Sequence, residues 1–270
     1  IYTSQYTLSL HDALPIFLWI DVITYLLALI PTIFIVIPTV VHLRKQSERK
    51  SSFKTEMKEG YKVLMDIRGM RVLFLMTMLS NFLLCPKGIL RPYFYSTYHE
   101  ASAQEYAIIQ VIASISLILG SILFTIKKEW KHKGKVLITG VVLVGLGYLT
   151  IACAPKGVFP VLWIGNFVFL FGIALFNNMY PTILQENIPL DKQGRVHSLT
   201  KGSTLISTSL GILMGGPLAD RIGINVLYII LASIFIFMSQ IFIWFSDVRH
   251  VGEHKLEIPK TRKKIPNLVE

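Results

Sequence analysis

The chain has 270 residues, of which 53% are hydrophobic and 16% charged, and a formal net charge of +11. Soluble globular domains carry about a quarter charged residues, so this composition excludes an ordinary water-soluble domain and points to a multi-span membrane protein. The only two cysteines, Cys85 and Cys153, lie inside apolar runs and exclude a disulfide framework.

Residues 1–16 read IYTSQYTLSLHDALPI and differ in character from the rest of the chain. The segment YTLSLHDALPI resembles translated read-through of a sequencing adapter. Residues 1–16 are therefore expected to be non-native and are set aside from the fold; the alternative is an ordinary loop with a helix start. Seven apolar spans come after them: Phe17 to Val41, Val72 to Tyr95, Glu105 to Ile126, Val136 to Cys153, Phe159 to Gln185, His197 to Ala219 and Ile224 to Phe245. Hydrocarbon offers no water to backbone groups, so each span is expected to be a helix. The run from Phe159 to Gln185 contains no ionisable Lys, Arg, Asp, Glu or His. It is long enough to cross about 30 Å of hydrocarbon.

Between the first two spans, residues 42–71 form a basic connection. Phe53, Met57, Tyr61, Leu64 and Met65 recur there at helical steps, flanked by Lys54, Lys58 and Lys62. That pattern predicts an amphipathic helix on the inner membrane face. The division is thus a span at 17–41, an amphipathic linker at 42–71, a six-helix bundle at 72–245 and a basic tail at 246–270.

Charge sets the orientation. The linker, Lys127 to Lys135, Glu186 to Lys201 and the tail hold 23 of the 27 Lys and Arg; Lys87, Arg91, Lys156 and Arg221 are the 4 on the other side. Such asymmetry predicts that the basic side, with the C-terminus, is cytoplasmic, and the visible N-terminus outside. The basic residues sit at span ends, where anionic lipid rather than nucleic acid is the expected partner.

No HExxH, GxSxG, GxxxxGK[ST] or paired CxxC occurs, and the histidines lack metal-ligand spacing. No enzyme activity, cofactor or metal is expected. The informative polar residues lie within the spans. Thr77, Ser80, Lys87 and Arg91 share one face of the second span, and Lys87 and Arg91 predict a positive patch in an outward-opening cavity, against the alternative of snorkelling to headgroups. Gln110, Ser114, Ser121 and Thr125 stripe the third span, and Asn166 and Asn177, with Asn178 beside them, occupy the fifth. These groups need either another helix or a wet substrate cavity. Ser203, Ser207, Gly211 and Gly215 form a small-residue ridge suited to close helix packing. Glu186 and Arg195 bracket the basic hinge and are the candidates for a cytoplasmic gate that closes by their pairing, against the alternative of a solvated loop. Asp21 is the local candidate for a coupling carboxyl, since no midplane acid is present.

The stretches FLWIDVITYLLALI, FKTEMKEGYKVL, NFLLCPKGILRPYF and LQENIPLDKQGRVHSL, with GGPLADRIG at Gly215 to Gly223, together resemble the major facilitator superfamily, in particular its bacterial exporters of drug and siderophore type. GGPLADRIG matches the core of that family's loop pattern but continues Ile224-Asn225 without the basic pair, and charge places it outside. The resemblance implies an all-α membrane protein of seven transmembrane helices, six of them forming the C-terminal bundle of the family's twelve-span fold. It also implies that the chain is spans six to twelve, lacking its partner six-helix N-terminal half. The implied function is secondary-active, proton-coupled efflux of a small molecule by alternating access in the cell membrane, with the principal coupling acid in the absent half. An importer of the same family and a seven-helix receptor remain as alternatives, and a seven-helix fragment alone is expected to transport nothing.

Overall fold

A computed structural model describes residues 10–34, 53–67, 69–127 and 130–245. Among them every regular element is helical: α1 (Leu10–Phe34), α2 (Phe53–Asp66), α3 (Met70–Tyr93), α4 (Ala103–Ile126), α5 (Lys133–Ala152), α6 (Phe159–Asn187), α7 (Leu190–Ile222) and α8 (Ile224–Phe245). Helix α3 passes directly into a π-helical turn, Phe94–Tyr98. The chain divides into two compact units, residues 1–50 and 51–270.

In the first unit, α1 starts at Leu10, inside the segment set aside on sequence, and keeps Pro15 and Pro31 within the helix. Its apolar stretch is Leu18–Pro31. The expected span ran on to Val41, and residues 35–41 lie outside the described ones, as do 1–9 and the basic tail from 246.

In the second unit, α3 with its π-helical turn (Met70–Tyr98), α4, α5, α6 and α8 (Ile224–Trp244) are long and apolar enough to cross a membrane. The count of seven spans is thus approximate. Helix α7 has the length, with 33 residues, or about 50 Å at 1.5 Å per residue. Its Ser, Thr and Gly content and its terminal charges keep it less apolar than the other five. At that length it overshoots about 30 Å of hydrocarbon, and its first turns are free to meet α2.

Lipid supplies no hydrophobic drive between helices, so contact surfaces depend on close packing. The α5–α6 seam shows this most clearly. Gly140 and Gly147 on α5 face Gly172 and Gly165 on α6, and a Cβ at Gly147 would lie 2.3 Å from the Phe169 nitrogen. On the other flank α7 crosses α3 at Gly211, whose Cβ would sit 2.5 Å from the Phe82 carbonyl oxygen, and at Gly215, against Pro86. Ser207 is buried and Ser203 half-buried on the same ridge. The core between these seams is aromatic: Tyr95, Tyr148, Tyr228, Phe94 and Phe235 are its largest fully buried side chains. Helix α4 touches the bundle mainly through α6. It leaves Ile108, Val111, Ile115, Ile118 and Ile122 exposed.

Helix α4 begins with a capping box: the Glu105 amide donates to Ser102 Oγ, and the Ser102 amide donates to the Glu105 carboxylate. Glu105 is a cap, and its S-x-x-E spacing was legible in the sequence.

Helix α2 forms within the linker, as its periodicity predicts. Its apolar stripe is divided, however: Leu64 is fully buried in the bundle core, whereas Met57 and Tyr61 are exposed. Gly60 lets the helix approach α7, since a Cβ there would sit 3.1 Å from the Arg195 carbonyl oxygen. The linker helix is therefore docked on the end of α7, and only part of its stripe is free for a membrane surface.

Candidate functional site

Four residues were expected on the polar face of α3. Thr77 and Ser80 are buried. Thr77 Oγ1 donates to the Leu73 carbonyl, and its own carbonyl accepts from Asn81 Nδ2. Ser80 Oγ has no protein partner. Lys87 departs from the expected cavity: only 4% of it is exposed. Its Nζ lies 3.9 Å from the Phe169 ring centroid and 5.8 Å from that of Tyr148. It stands 11 residues before the Tyr98 end of the span, about 16 Å along the axis. In this structure the Lys87 amine is enclosed by the rings of Phe169 and Tyr148. Arg91, one turn further along α3, is half-buried.

Asn166 is buried and bonds across the bundle. Its Nδ2 donates to the Leu162 carbonyl, and its amide exchanges hydrogen bonds with the Tyr95 hydroxyl at 2.7 and 3.0 Å. Tyr228 donates its hydroxyl to the Lys87 carbonyl at 2.9 Å. These bonds tie the C-terminal part of α3 and its π-helical turn to their neighbours.

Asn177 shares the angular position of Asn166 on α6, yet it is exposed; the same face is packed at one level and open at the next. Asn178 is half-buried, donating to the Ala174 carbonyl and reaching Ser121 Oγ of α4 at 3.5 Å. Ser114 is exposed and bonds back to the Gln110 carbonyl; Thr125 bonds back to that of Ser121. Of the polar residues expected on α4 and α6, Ser121 and Asn178 are brought together, while Thr77, Ser80, Lys87 and Asn166 belong to the packed interior.

The expected Glu186–Arg195 pair does not form. Arg195 pairs with Glu59 of α2, and Glu186 pairs with Lys133 of α5. The two ends of the α6–α7 hinge are tied to different neighbours because α7 turns its first residues toward α2 while α6 ends beside the start of α5. Two clefts open at this basic end. One, of about 600 Å3, is bordered by Phe124, Lys127, Trp130, Lys133 and Glu186; the other, of about 270 Å3, by Glu59, Lys62, Asp66, Lys192 and Arg195. Lys127 lies 4.4 Å from the Trp130 ring centroid. Asp21 lies on α1, where its carbonyl accepts from Thr24 Oγ1. Among the described residues no group of three His, Cys, Asp or Glu has metal-binding geometry.

At the opposite end, the chain leaves the π-helical turn through His99, which is buried against Phe94 and Tyr98 with both ring nitrogens unpartnered. Glu100 comes next, in the left-handed region at φ 56°. It pairs with Lys156 of the α5–α6 turn at 2.7 Å. Burial, then the Lys156 charge, holds the His99 imidazole below its usual range near 6.5. The bond from Lys156, then its charge, holds the Glu100 carboxyl below the usual 4.5. Both groups bind fewer protons folded than unfolded, so stability at this end is full above about pH 6.5 and declines as acid is added, first through His99 and then through Glu100. Amide-exchange protection over residues 94–101, taken relative to the intrinsic exchange rate at each pH, is expected to fall between pH 7.5 and about pH 5, and to lose that acid dependence in His99→Phe.

The family model of the Major Facilitator Superfamily matches residues 87–269, more than half of the chain. Macrolide efflux protein A of Streptococcus pyogenes is 22% identical over 214 residues, covering 78% of this chain and 53% of that protein. Macrolide efflux protein A of Enterococcus faecalis is 22% identical over 197 residues, covering 72% of this chain and 59% of that protein. Multidrug efflux pump Tap of Mycolicibacterium fortuitum is 20% identical over 194 residues, covering 72% and 46% respectively. The chain spans about half the length of the curated relatives it matches.

Proposed function

We propose, from the premise that this chain belongs to the Major Facilitator Superfamily, that it serves as one half of a proton-coupled exporter of bulky, largely apolar drug-like molecules. The family's members are transporters and not enzymes. The relatives bear efflux names, which favours export over import, and membership in a transporter family removes the receptor alternative.

One observation carries the reading: Asn177 is exposed within the membrane-crossing helix α6, and Asn178 beside it reaches Ser121 of α4. An amide turned toward lipid is costly, because nothing there replaces its hydrogen bonds with water. An open polar face therefore belongs beside a wet cavity. Gln110, Ser114, Asn177 and Asn178 would offer a ligand a few hydrogen-bonding groups on an otherwise apolar wall, the combination that suits an amphiphilic small molecule. The exposed apolar face of α4 and the open side of α7 suit contact with lipid or with a second six-helix half. The basic clefts at the hinge would face the cytoplasm, and the Arg195–Glu59 and Lys133–Glu186 pairs would be made and broken as the bundles rock. Asp21 and the second half would contribute further coupling groups.

The test is drug accumulation in cells making the transporter that contains this chain. A radiolabelled macrolide is expected to accumulate less in these cells than in vector controls, with the difference abolished by a protonophore. Asn177→Leu should weaken the effect while the protein remains in the membrane. Unchanged accumulation across a panel of macrolides and cationic dyes, with folded protein in the membrane, would refute export.

A further inference from the structure

We propose that Lys87 is a proton-binding site inside the bundle, its amine taking a proton from water when α3, α5, α6 and α8 part and returning it to water when they close. The structural case rests on the cage. Lys87 is 4% exposed, and its nitrogen stands over the Phe169 ring at 3.9 Å with Tyr148 on another side. Among the described residues it pairs with no carboxylate; the ion pairs found there are those of Lys133, Lys156 and Arg195. An uncompensated charge held in a low-dielectric interior is costly. A cation–π contact offsets only part of that cost.

The groups around it sharpen the case. Arg91 lies one turn along α3, so a second positive charge opposes the first. From α5 comes Tyr148, whose buried hydroxyl has no protein partner. From α8 comes Tyr228, whose hydroxyl is committed to the Lys87 carbonyl. Tyr95 of the π-helical turn is committed to Asn166 of α6, and Tyr106 of α4 meets the Tyr95 ring. None of these supplies a negative charge at neutral pH. Ser80, two turns earlier on the same face, adds another buried hydroxyl without a partner. The amine is therefore faced by two aromatic rings and by no anion among the described residues, an arrangement whose stability depends on whether the proton is present. Protonation uses the amine lone pair to form one N–H bond with a proton delivered by hydronium. Release breaks that bond and returns the proton to water, with no change of oxidation state.

The site deepens the export reading by naming a coupling group in this half that is a base rather than an acid, and its role in transport rests on that reading; the proton site itself does not. The deciding experiment is NMR of the 270-residue chain in lipid nanodiscs with isotope-labelled lysine. One lysine signal, absent in Lys87→Met, is expected to change its protonation state between pH 4 and pH 10, resolved from the exposed lysines. Tyr148→Phe, which keeps the ring and removes the hydroxyl, should shift that midpoint without unfolding the bundle. A Lys87 signal that stays charged to pH 10, or neutral to pH 4, would overturn the proposal by showing a fixed structural group. In proteoliposomes of the whole transporter, Lys87→Arg is expected to lose at least tenfold in macrolide transport driven by a pH gradient while retaining substrate counterflow. A Lys87→Arg protein that still couples to the gradient would overturn its role in coupling. A titrating Lys87 in a protein that moves no drug would leave the proton site standing and remove the export reading.

Discussion

Gly147→Leu is expected to abolish the folded bundle or to lower its stability by about 3 kcal/mol or more. The Cβ alone would lie 2.3 Å from the Phe169 nitrogen and 2.6 Å from its Cα. Those are backbone atoms in the middle of a helix, so no side-chain rotation relieves the clash and α5 must move away from α6. Separation breaks a seam that runs through Gly140, Gly147, Gly165 and Gly172, since a Cβ at Gly172 would likewise sit 2.6 Å from the Gly140 carbonyl oxygen. It also disturbs Tyr148 and Phe169, which flank Lys87. Gly88 is the internal control, because no atom lies within 4 Å of a Cβ built there. Thermal unfolding in detergent should show a fall on the order of 10 °C for Gly147→Leu and little change for Gly88→Leu. Equal effects at the two sites would mean that the seam is not as close as described.

The second large effect is expected at the crossing of α7 over α3. A Cβ at Gly211 would approach the Phe82 carbonyl oxygen to 2.5 Å and Cys85 Cβ to 3.2 Å. Gly211→Leu should therefore cost about 2 kcal/mol. Gly216, on the same helix with nothing within 4 Å, should tolerate leucine within about 0.5 kcal/mol. The contrast separates packing from the general effect of replacing a helical glycine, which would favour both substitutions alike through helix propensity. It also bears on transport. If the proposed exporter works with α7 sliding on α3, Gly211→Leu is expected to slow transport by more than its stability cost explains, as a drop in kcat at unchanged protein level.

Much of the fold was legible because hydrocarbon allows so few structures. The runs from Glu105, Val136, Phe159 and Ile224 became α4, α5, α6 and α8 with ends shifted by a few residues, since any long apolar run must satisfy its own backbone. The linker helix was legible from the spacing of Met57, Tyr61 and Leu64. Its docking was not, because whether Leu64 meets lipid or protein depends on the distant Gly60–Arg195 contact. Glu186 and Arg195 were close in sequence, but proximity along the chain does not decide partners at a helix hinge. Glu59 and Lys133 were nearer in space. The small-residue ridge of α7 stood out as every fourth residue. The tighter α5–α6 seam, spaced by seven at Gly140–Gly147 and again at Gly165–Gly172, is equally present in the sequence but makes a sparser pattern. Lys87 was singled out for its cost in the membrane, but the rings that face it, Tyr148 and Phe169, come from α5 and α6 and are not legible in the pattern of α3.

Threading of the chain through the membrane underlies the whole account, and cysteine accessibility tests it most directly. With Cys85 and Cys153 replaced by serine, single cysteines are placed at Lys156, beside Glu100, and at Lys192, in the cleft near Arg195. A membrane-impermeant maleimide applied to intact cells is predicted to label position 156 and to reach position 192 only after permeabilisation. Labelling of position 192 from outside, with 156 protected until the cells are opened, would contradict the orientation and the export mechanism built on it.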